Sequence, residues 1–206
     1  KASETAHRAA YDVARYDQQG CFSPHTIFVE SGGSTAPRQF AHYLAHELSA
    51  LEQKFPRRPL AINEAASIAA WRNVEEMNAG AEVVGDPNGA WLVSFFEGPD
   101  GFGPSALNRS IRVVAVDDLA SVPARAAPYK RLLQTVGIAA PPRRLFTLSA
   151  ALGDVGVTRI AALGDMTAPE AGWHHDGRYN LSDLVRIVEI DGRALAAADR
   201  LATYAE

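Results

Sequence analysis

The stretch QQGCFSPHTIFVESGGSTAP, residues 18–37, decides the fold because it sets a loop, a strand and a helix start in immediate succession. Its centre, HTIFVE at residues 25–30, has the β-branched and aromatic enrichment of a strand, and the two glycines that follow end it. The STAP sequence is typical of a helix that begins with proline in its first turn. Apolar residues at helical spacing continue that helix to Lys54.

Outward from this unit, apolar patterns predict strands and helices in alternation. Helices are expected over residues 2–16, 63–78 and 141–156, with a short one near 129–133. A turn followed by a strand is expected in LSDLVRIVEI, and a helix in the tail from Gly192. The other predicted strands are AEVVGD (81–86), AWLVSFFE (90–97), IRVVAV (111–116), TVGIA (135–139) and VTRIAAL (157–163). This alternation predicts an α/β fold with a mostly parallel sheet and helices on both faces, as one domain over residues 1–206.

Composition excludes several classes of protein. The 206 residues are 47% hydrophobic, which is enough for a core, and the formal net charge of −4 offers no basic field for nucleic acid. No apolar run is long enough to cross a bilayer, and the first residues lack the apolar core of a signal peptide. We expect a cytoplasmic protein without a transmembrane segment. Because the chain starts at Lys1 without methionine, close to its most unusual segment, we also expect a fragment of a longer protein.

The single cysteine, Cys21, lies on a loop between a predicted helix and a predicted strand. A catalytic thiol must be reachable and close to backbone donors, and Gly20 lets the backbone approach a substrate oxygen. Gln19, Gly20 and Phe22 would form its immediate surroundings. The alternative is that Cys21 is a small apolar core residue, which is the more frequent role of a free cysteine.

A second candidate site is WHHDGRYN, in which His174 and His175 precede Asp176. A carboxylate beside a histidine fixes its tautomer and raises its basicity, which suits proton transfer. Adjacent loop residues point in different directions, so structural hydrogen bonding is the alternative. We predict no metal site, because no cysteine or histidine cluster has ligand spacing; His42 and His46, four residues apart, are expected on a solvated helix face.

Asn108 and Arg109 follow a loop rich in glycine and proline and precede a predicted strand. The guanidinium fork could contact an anionic ligand, and a surface arginine at a strand start is the alternative. The chain contains neither G-x-G-x-x-G after a strand nor a phosphate-binding G-x-x-x-x-G-K-[ST]. Any dinucleotide-binding domain is therefore expected outside these 206 residues.

Four segments together resemble the long-chain acyl-CoA reductase family typified by the fatty acid reductase of bacterial bioluminescence, a family similar in turn to aldehyde dehydrogenases. These are DVARYDQQGCFSPHTIFVE, LLQTVGIA, GVTRIAALGDM and WHHDGRYNLSDLVRIVE. The resemblance runs nearly end to end, and QQGCFSP is its most specific element. It implies an aldehyde dehydrogenase-like catalytic domain in which Cys21 matches the acylated cysteine.

The resemblance also implies a mechanism and partners. Cys21 would take the acyl group from a long-chain acyl-CoA, and NADPH, bound mainly by a domain outside this chain, would reduce the acyl-enzyme to a fatty aldehyde. His174 or His175, oriented by Asp176, would assist. Asn108 and Arg109 lie where the superfamily approaches the nicotinamide ribose. A strand near residues 185–190 would pair across the interface of a homo-oligomer.

Two other functions fit the same sequence. The acyl-Cys21 intermediate could be passed to water or to a partner protein, which would make the chain a thioesterase or an acyl-transfer component. Alternatively, the chain could be a non-catalytic oligomerising scaffold. Isolated from a nucleotide-binding domain, it is expected to be inactive as a reductase.

Overall fold

A computed structural model describes residues 2–98 and 101–202. Helices and strands occur at nearly all the positions that the sequence predicts. Within the described residues the α-helices are α1 (Ala2–Ala14), α2 (Pro37–Lys54), α3 (Ile62–Met77), α4 (Val122–Ala126), α5 (Pro142–Asp154) and α6 (Gly192–Leu201). The strands are β1 (Thr26–Glu30), β2 (Ala81–Gly85), β3 (Leu92–Glu97), β4 (Ser110–Val116), β5 (Thr135–Ile138) and β6 (Arg159–Ala162).

The larger sheet has the strand order β1-β4-β3-β2. β1 and β3 both run parallel to β4, and β2 closes the far side antiparallel to β3. A smaller sheet consists of β5 and β6, which are parallel. The predicted α/β fold with a mostly parallel sheet is therefore confirmed.

Helices cover the larger sheet on both faces because side chains along its central strands alternate in direction. Val93 and Phe95 of β3 belong to the same core cluster as Leu44 and Leu48 of α2. Ser94, between them on β3, points to the other face and donates to Glu75 of α3 at 2.6 Å. The core is therefore thickest between α2 and the sheet, and α3 covers the opposite face.

α1 lies on α2 and extends the core away from the sheet. Its buried residues Ala6, Ala9, Ala10 and Val13 recur at helical spacing, so one stripe of the helix is apolar. Three of these four side chains are single methyl groups, which let the two helices approach closely. This packing holds the end of α1, and hence the loop that carries Cys21, against the main core.

One sequence prediction differs from the structure in the region after β4. The short helix expected near residues 129–133 lies earlier, as α4 and a 3-10 turn at Ala127–Tyr129. Pro123 and Pro128 interrupt the apolar pattern there, which hid α4 from periodicity. α5 packs on the smaller sheet through Leu148 and Leu152.

Residues 168–202 contribute little to the core. After a 3-10 turn at Ser182–Leu184, residues 185–190 form no strand with any other described segment. Val185, Ile187 and Val188 are 62%, 89% and 81% exposed. Pairing of this segment with a second subunit remains a prediction. Among the residues that the structure describes, no helix has the length and apolar character that a membrane span requires.

Candidate active site

Cys21 lies on the loop that joins α1 to β1, and it is exposed. The loop begins with a 3-10 turn at Arg15–Gln18, within which Tyr16 and Asp17 have positive φ, and Gln18 does as well. A non-glycine residue pays a steric cost in this left-handed region, and such residues persist only where the surroundings fix them. Three in succession therefore indicate a loop whose shape is imposed by its contacts.

A second left-handed run lies directly against the first. Leu107, Asn108 and Arg109 also have positive φ, immediately before β4. The Asn108 N–H donates to the Asp17 carbonyl at 3.0 Å, and Gln19 Nε2 donates to Asn108 Oδ1 at 3.1 Å. The structure thus brings together two sequence-predicted positions, Gln19 and Asn108, that are 89 residues apart.

Gln18 joins both ends of the Cys21 loop to the sheet, and sequence reasoning gave it no role. Its side chain is 1% exposed. Gln18 Oε1 accepts from the Ser110 N–H at 2.8 Å, while Nε2 donates to the carbonyls of Ser110 at 3.1 Å and Pro24 at 2.8 Å. One amide therefore fixes the residues that precede and follow Cys21 relative to β4.

Arg109 stabilises the same loop from within. Its guanidinium donates to Asp17 Oδ1 at 2.8 Å, to Glu52 Oε2 at 2.6 Å and to the Phe55 carbonyl at 3.0 Å. Asn108 and Arg109 are only 3% and 4% exposed. Their polar groups are engaged inside the protein, so their placement gives no support to the predicted contact with a nicotinamide ribose.

The backbone around Cys21 can accept a substrate oxygen. In the described part of the chain, no acceptor is seen for the Cys21 N–H, whereas the Ser23 N–H donates to the Gly20 carbonyl at 3.0 Å. A Cβ at Gly20 would lie 2.7 Å from the Phe22 ring, so Gly20 lets that ring fold back over the loop. Cys21 therefore combines an exposed thiol with a free backbone donor, the two groups that acyl transfer to a thiol requires.

Behind the loop lies a cavity of about 530 Å³ that Cys21, Ser23 and His25 help to line. His25 Nδ1 accepts from the Ser105 N–H at 3.2 Å, and burial lowers the pKa of the imidazole. Both effects favour the neutral form with its proton on Nε2. His25 is a polar cavity residue to which the sequence analysis gave no role, because the residue types there indicate only the start of a strand.

The histidine cluster predicted near the C terminus lies elsewhere on the surface. His175 Nδ1 is 3.0 Å from Asp176 Oδ2, and Asp176 Oδ1 accepts from Gln134 Nε2 at 2.7 Å. His174 packs edge-on against Tyr179 with ring centroids 4.7 Å apart. Neither histidine lines the cavity behind Cys21, whereas Gln134 does. The catalytic role assigned to His174, His175 and Asp176 therefore remains a prediction, without a contact to Cys21.

His42 and His46 are both exposed on α2. His42 Nε2 lies 3.1 Å from Glu82 Oε1 of β2, an exposed cross-element pair. Across residues 2–98 and 101–202, no three histidine, cysteine, aspartate or glutamate side chains are close enough together to hold a metal ion.

Comparison with known proteins identifies the class of this fold. An NAD-dependent aldehyde dehydrogenase from Burkholderia multivorans superposes with a TM-score of 0.61, at 18% sequence identity, over 79% of this chain and 33% of that one. The chain therefore has an aldehyde dehydrogenase-like fold, and Cys21 lies on the loop that enters an edge strand of its sheet.

The sequence comparison is more specific. Residues 1–187 match the family described as acyl-CoA reductase (LuxC), and the chain belongs to that family. A long-chain acyl-protein thioester reductase from Aliivibrio fischeri is 30% identical over 181 residues, and a second one, from Photobacterium leiognathi, is 29% identical over 182 residues. Each match covers 87% of this chain and 36% of the relative, so the chain spans about a third of the length of these relatives.

Proposed function

We propose that this chain carries the acyl-accepting site of a long-chain acyl thioester reductase, with Cys21 as the nucleophile. The observation that supports the proposal is the exposed Cys21 thiol on a loop fixed by Gln18, at the edge of a cavity. Membership of the acyl-CoA reductase family supplies the reaction class.

The proposed chemistry is a thioester exchange. The Cys21 thiolate attacks the carbonyl carbon of the acyl donor, and the negative charge that develops on the oxygen is held by the Cys21 N–H. The bond between this carbon and the donor sulfur then breaks, the donor leaves as a thiolate that takes up a proton, and the acyl group remains on Cys21 as a new thioester. The Cys21 proton passes to solvent, because the one acceptor nitrogen of neutral His25, Nδ1, is already taken by the Ser105 N–H.

Acyl-CoA and acyl-protein donors both present a thioester carbonyl to Cys21. The family is described as an acyl-CoA reductase, whereas the relatives from Aliivibrio and Photobacterium are named acyl-protein thioester reductases. Because Cys21 is exposed on the surface, a donor carried by a partner protein could reach it as well as coenzyme A could. We propose that both classes of donor acylate Cys21.

Reduction of the acyl group to an aldehyde needs a hydride donor, for which we propose NADPH. Asn108 and Arg109 do not fit as part of its site, because both are buried and bonded internally. We therefore place NADPH binding in polypeptide outside the described residues and derive only the acylation step from this chain. A homo-oligomer and a cytoplasmic location, where a lone thiol stays reduced, complete the proposal.

Acylation is tested by mass spectrometry of the intact chain after incubation with myristoyl-CoA. We expect the mass to increase by one myristoyl group on the wild type and on Ser23→Ala, and to stay unchanged on Cys21→Ser. An unmodified wild type, or equal labelling of Cys21→Ser, would contradict the proposal.

A second measurement, on a longer protein that includes this chain, distinguishes a reductase from an acyl-transfer protein. We expect a fatty aldehyde to form from myristoyl-CoA only when NADPH is supplied. Release of free myristate without NADPH would favour a thioesterase, and transfer of the acyl group to an added carrier protein would favour an acyl-transfer component. Normal oligomers without any adduct on Cys21 would favour a scaffold.

A further inference from the structure

A surface beside the Cys21 loop combines exposed aromatic rings with cations. Arg15, directly after α1, lies between two rings: its guanidinium carbon is 5.6 Å from the ring centre of Tyr11 and 5.3 Å from that of Tyr16. Lys54 Nζ, at the end of α2, lies 5.3 Å from the ring centre of Phe55. The rings of Tyr11, Tyr16 and Phe55 belong to residues that are 37%, 57% and 52% exposed. We call these five residues the Tyr16–Phe55 face.

One buried side chain holds the two halves of this face together. Arg109 Nε donates to Asp17 Oδ1 at 2.8 Å, and Arg109 Nη1 donates to the Phe55 carbonyl at 3.0 Å. The turn that carries Tyr16 is therefore fixed against the end of α2. Tyr16 precedes Cys21 by five residues, which span at most about 18 Å. A molecule that covers the Tyr16–Phe55 face therefore lies within reach of the thiol.

Tyr16 has a strained backbone although its ring packs on no core. Its φ of 56° and ψ of 19° are left-handed, a conformation that a bulky aromatic residue rarely adopts. Asp17 and Gln18, which are also left-handed, each hold a partner inside the protein through their side chains. The Tyr16 ring instead points into solvent beside Arg15. Strain that presents a side chain to solvent is typical of a site that recognises another molecule.

The face is positive on a protein that is negative as a whole. Within the described residues, no carboxylate forms an ion pair with Arg15 or Lys54, and the formal net charge of the chain is −4. An anionic partner is therefore attracted to this surface more than to the remainder of the molecule. The cations on and around the face are Arg15, Lys54, Arg57, Arg58 and Arg109, and the carboxylates that pair with them are Asp17, Glu52 and Glu64.

We propose that the Tyr16–Phe55 face docks an acidic protein that carries the acyl thioester delivered to Cys21. The inference rests on the proposed function and specifies how its protein donor is recognised. Tyrosine, phenylalanine and arginine are the residue types that protein interfaces favour. Coenzyme A is the other anionic donor, but small ligands bind in concave sites, and none of the five residues lines the cavity behind Cys21.

Docking is tested by binding, with the thiol removed. The probe is fluorescently labelled acyl carrier protein, a small acidic protein that bears acyl thioesters, and anisotropy measures its affinity for the Cys21→Ser chain. We expect Arg15→Glu with Lys54→Glu, added to Cys21→Ser, to weaken binding roughly tenfold, because two unpaired cations become repulsive. The matched control makes the same change of net charge on α5 and α6, with Arg143→Glu and Arg193→Glu, both exposed.

The control should leave the affinity within about twofold of that of the Cys21→Ser chain. A Cys21→Ser chain that does not bind the carrier protein would overturn the inference, and so would equal weakening by the two charge reversals. Because no thiol is present at position 21, this result does not depend on whether Cys21 accepts an acyl group.

The role of the Tyr16 ring is tested by Tyr16→Asn in the same background. Asparagine adopts the left-handed region more readily than tyrosine, so the ring is removed while the turn keeps its shape. We expect binding of the carrier protein to weaken about fivefold, while stability in urea unfolding is retained or increased. Unchanged affinity would contradict the inference.

Acylation of the chain with Cys21 intact distinguishes the two donors. We expect Arg15→Glu with Lys54→Glu to lower the initial rate roughly tenfold with myristoyl-acyl carrier protein and to leave the rate with myristoyl-CoA within about twofold. Equal losses with both donors, or a loss with myristoyl-CoA alone, would overturn the inference. A wild type that neither donor acylates would contradict the proposed role of Cys21 instead, and the binding measurement would then decide the docking face.

Discussion

Gln18 acts through its side chain as a neighbouring strand would act through its backbone. Its amide accepts from the Ser110 N–H and donates to the Ser110 carbonyl, which is the pattern of a peptide group in a ladder. The third bond, to the Pro24 carbonyl, reaches across the Cys21 loop. The orientation of the thiol therefore depends on a residue that carries no chemistry itself.

We expect Gln18→Ala to lower the free energy of unfolding by on the order of 3 kcal/mol, because it leaves buried backbone groups of Ser110 and Pro24 unpaired. The matched control is Gln19→Ala. Its exposed side chain donates to Asn108 Oδ1 at 3.1 Å and to the Asp17 carbonyl at 3.4 Å, and the substitution should change stability by less than about 0.5 kcal/mol. Urea unfolding measures both. Equal effects of the two substitutions would contradict the role of Gln18.

Asp12 gives the protein a pH-dependent stability of unusual sign. Its carboxylate is fully buried, and although it accepts from the N–H groups of Gly164 at 2.6 Å and Met166 at 3.0 Å, burial raises its pKa to about 6. Between the unfolded pKa near 4 and the folded one near 6, the folded state binds more protons than the unfolded state. The contribution of Asp12 to stability therefore falls as pH rises through this window.

We expect the unfolding free energy of the wild type minus that of Asp12→Asn to decrease by on the order of 2 kcal/mol from pH 4 to pH 7. The reason is that Asp12 titrates in this range and asparagine does not. Urea unfolding at several pH values measures that difference and cancels the titration of the other groups. A difference that stays constant or grows with pH would show that Asp12 is not held at a raised pKa.

The candidate site was only partly predictable from sequence. Cys21 and its neighbour Gly20 belong to a local motif, so residue types and order were enough to single them out. Gln18 and Arg109 obtain their importance from partners 92 residues away, which no local pattern reveals. The left-handed backbone at Asp17 and Asn108 is only weakly indicated, since Asp and Asn adopt this conformation more often than other non-glycine residues but usually do not.

At the scale of elements, α3 is attached to the sheet by charge more than by apolar packing. Glu75 is its one buried residue. Glu75 Oε2 accepts from Ser94 Oγ at 2.6 Å and from Arg112 Nε at 3.0 Å, and a second bond joins its other oxygen to the same guanidinium. The ring of Trp71 lies 5.8 Å from the Arg112 guanidinium carbon. This cluster fixes where α3 lies on β3 and β4.

We expect Glu75→Ala to destabilise the protein by about 3–5 kcal/mol, because it leaves the guanidinium of Arg112 unpaired in a mostly buried position. The control is the adjacent Glu76→Ala, which removes an exposed pair with Arg72 at 2.7 Å and should cost less than about 0.5 kcal/mol. Thermal and urea unfolding measure the destabilisation caused by each of the two substitutions. A mild effect of Glu75→Ala would mean that α3 is held by other contacts.

Most elements were predictable because their periodicity is local. α2 begins at Pro37 and ends at Lys54 as its sequence indicates, since proline marks its first turn and apolar residues recur along one face. Periodicity does not reveal which strands lie next to each other in a sheet. The order β1-β4-β3-β2 and the separate pairing of β5 with β6 depend on contacts between distant segments. They are therefore visible only in the folded structure.

At the scale of the whole molecule, the C-terminal segment is the part least attached to the rest. Leu184, Ile187 and Ile190 are 79%, 89% and 65% exposed. So many exposed apolar side chains in a short stretch are typical of a surface that another chain covers. The predicted strand near residues 185–190, paired with a second subunit, would cover these side chains.

We expect the double substitution Ile187→Lys and Val188→Lys to shift the protein from an oligomer to a monomer, because lysine cannot be buried in an apolar interface without loss of hydration. Size-exclusion chromatography with light scattering measures the change. The control is Glu189→Lys, which alters charge in the same segment and should leave the assembly intact. A wild type that is already monomeric would contradict the predicted interface.

The exposure of Cys21 leaves its thiol accessible to oxidants. The 206 residues contain no second thiol for a sulfenic acid formed on Cys21. Within them it can condense only with a backbone nitrogen; otherwise it reacts with a thiol elsewhere or oxidises further to the irreversible sulfinic and sulfonic acids. If Cys21 is the acyl-accepting residue that we propose, an acyl group on its sulfur would block this route for as long as it stays there. The proportion of chains that can still be acylated would therefore decline with exposure to peroxide, and most slowly when acyl donor is plentiful.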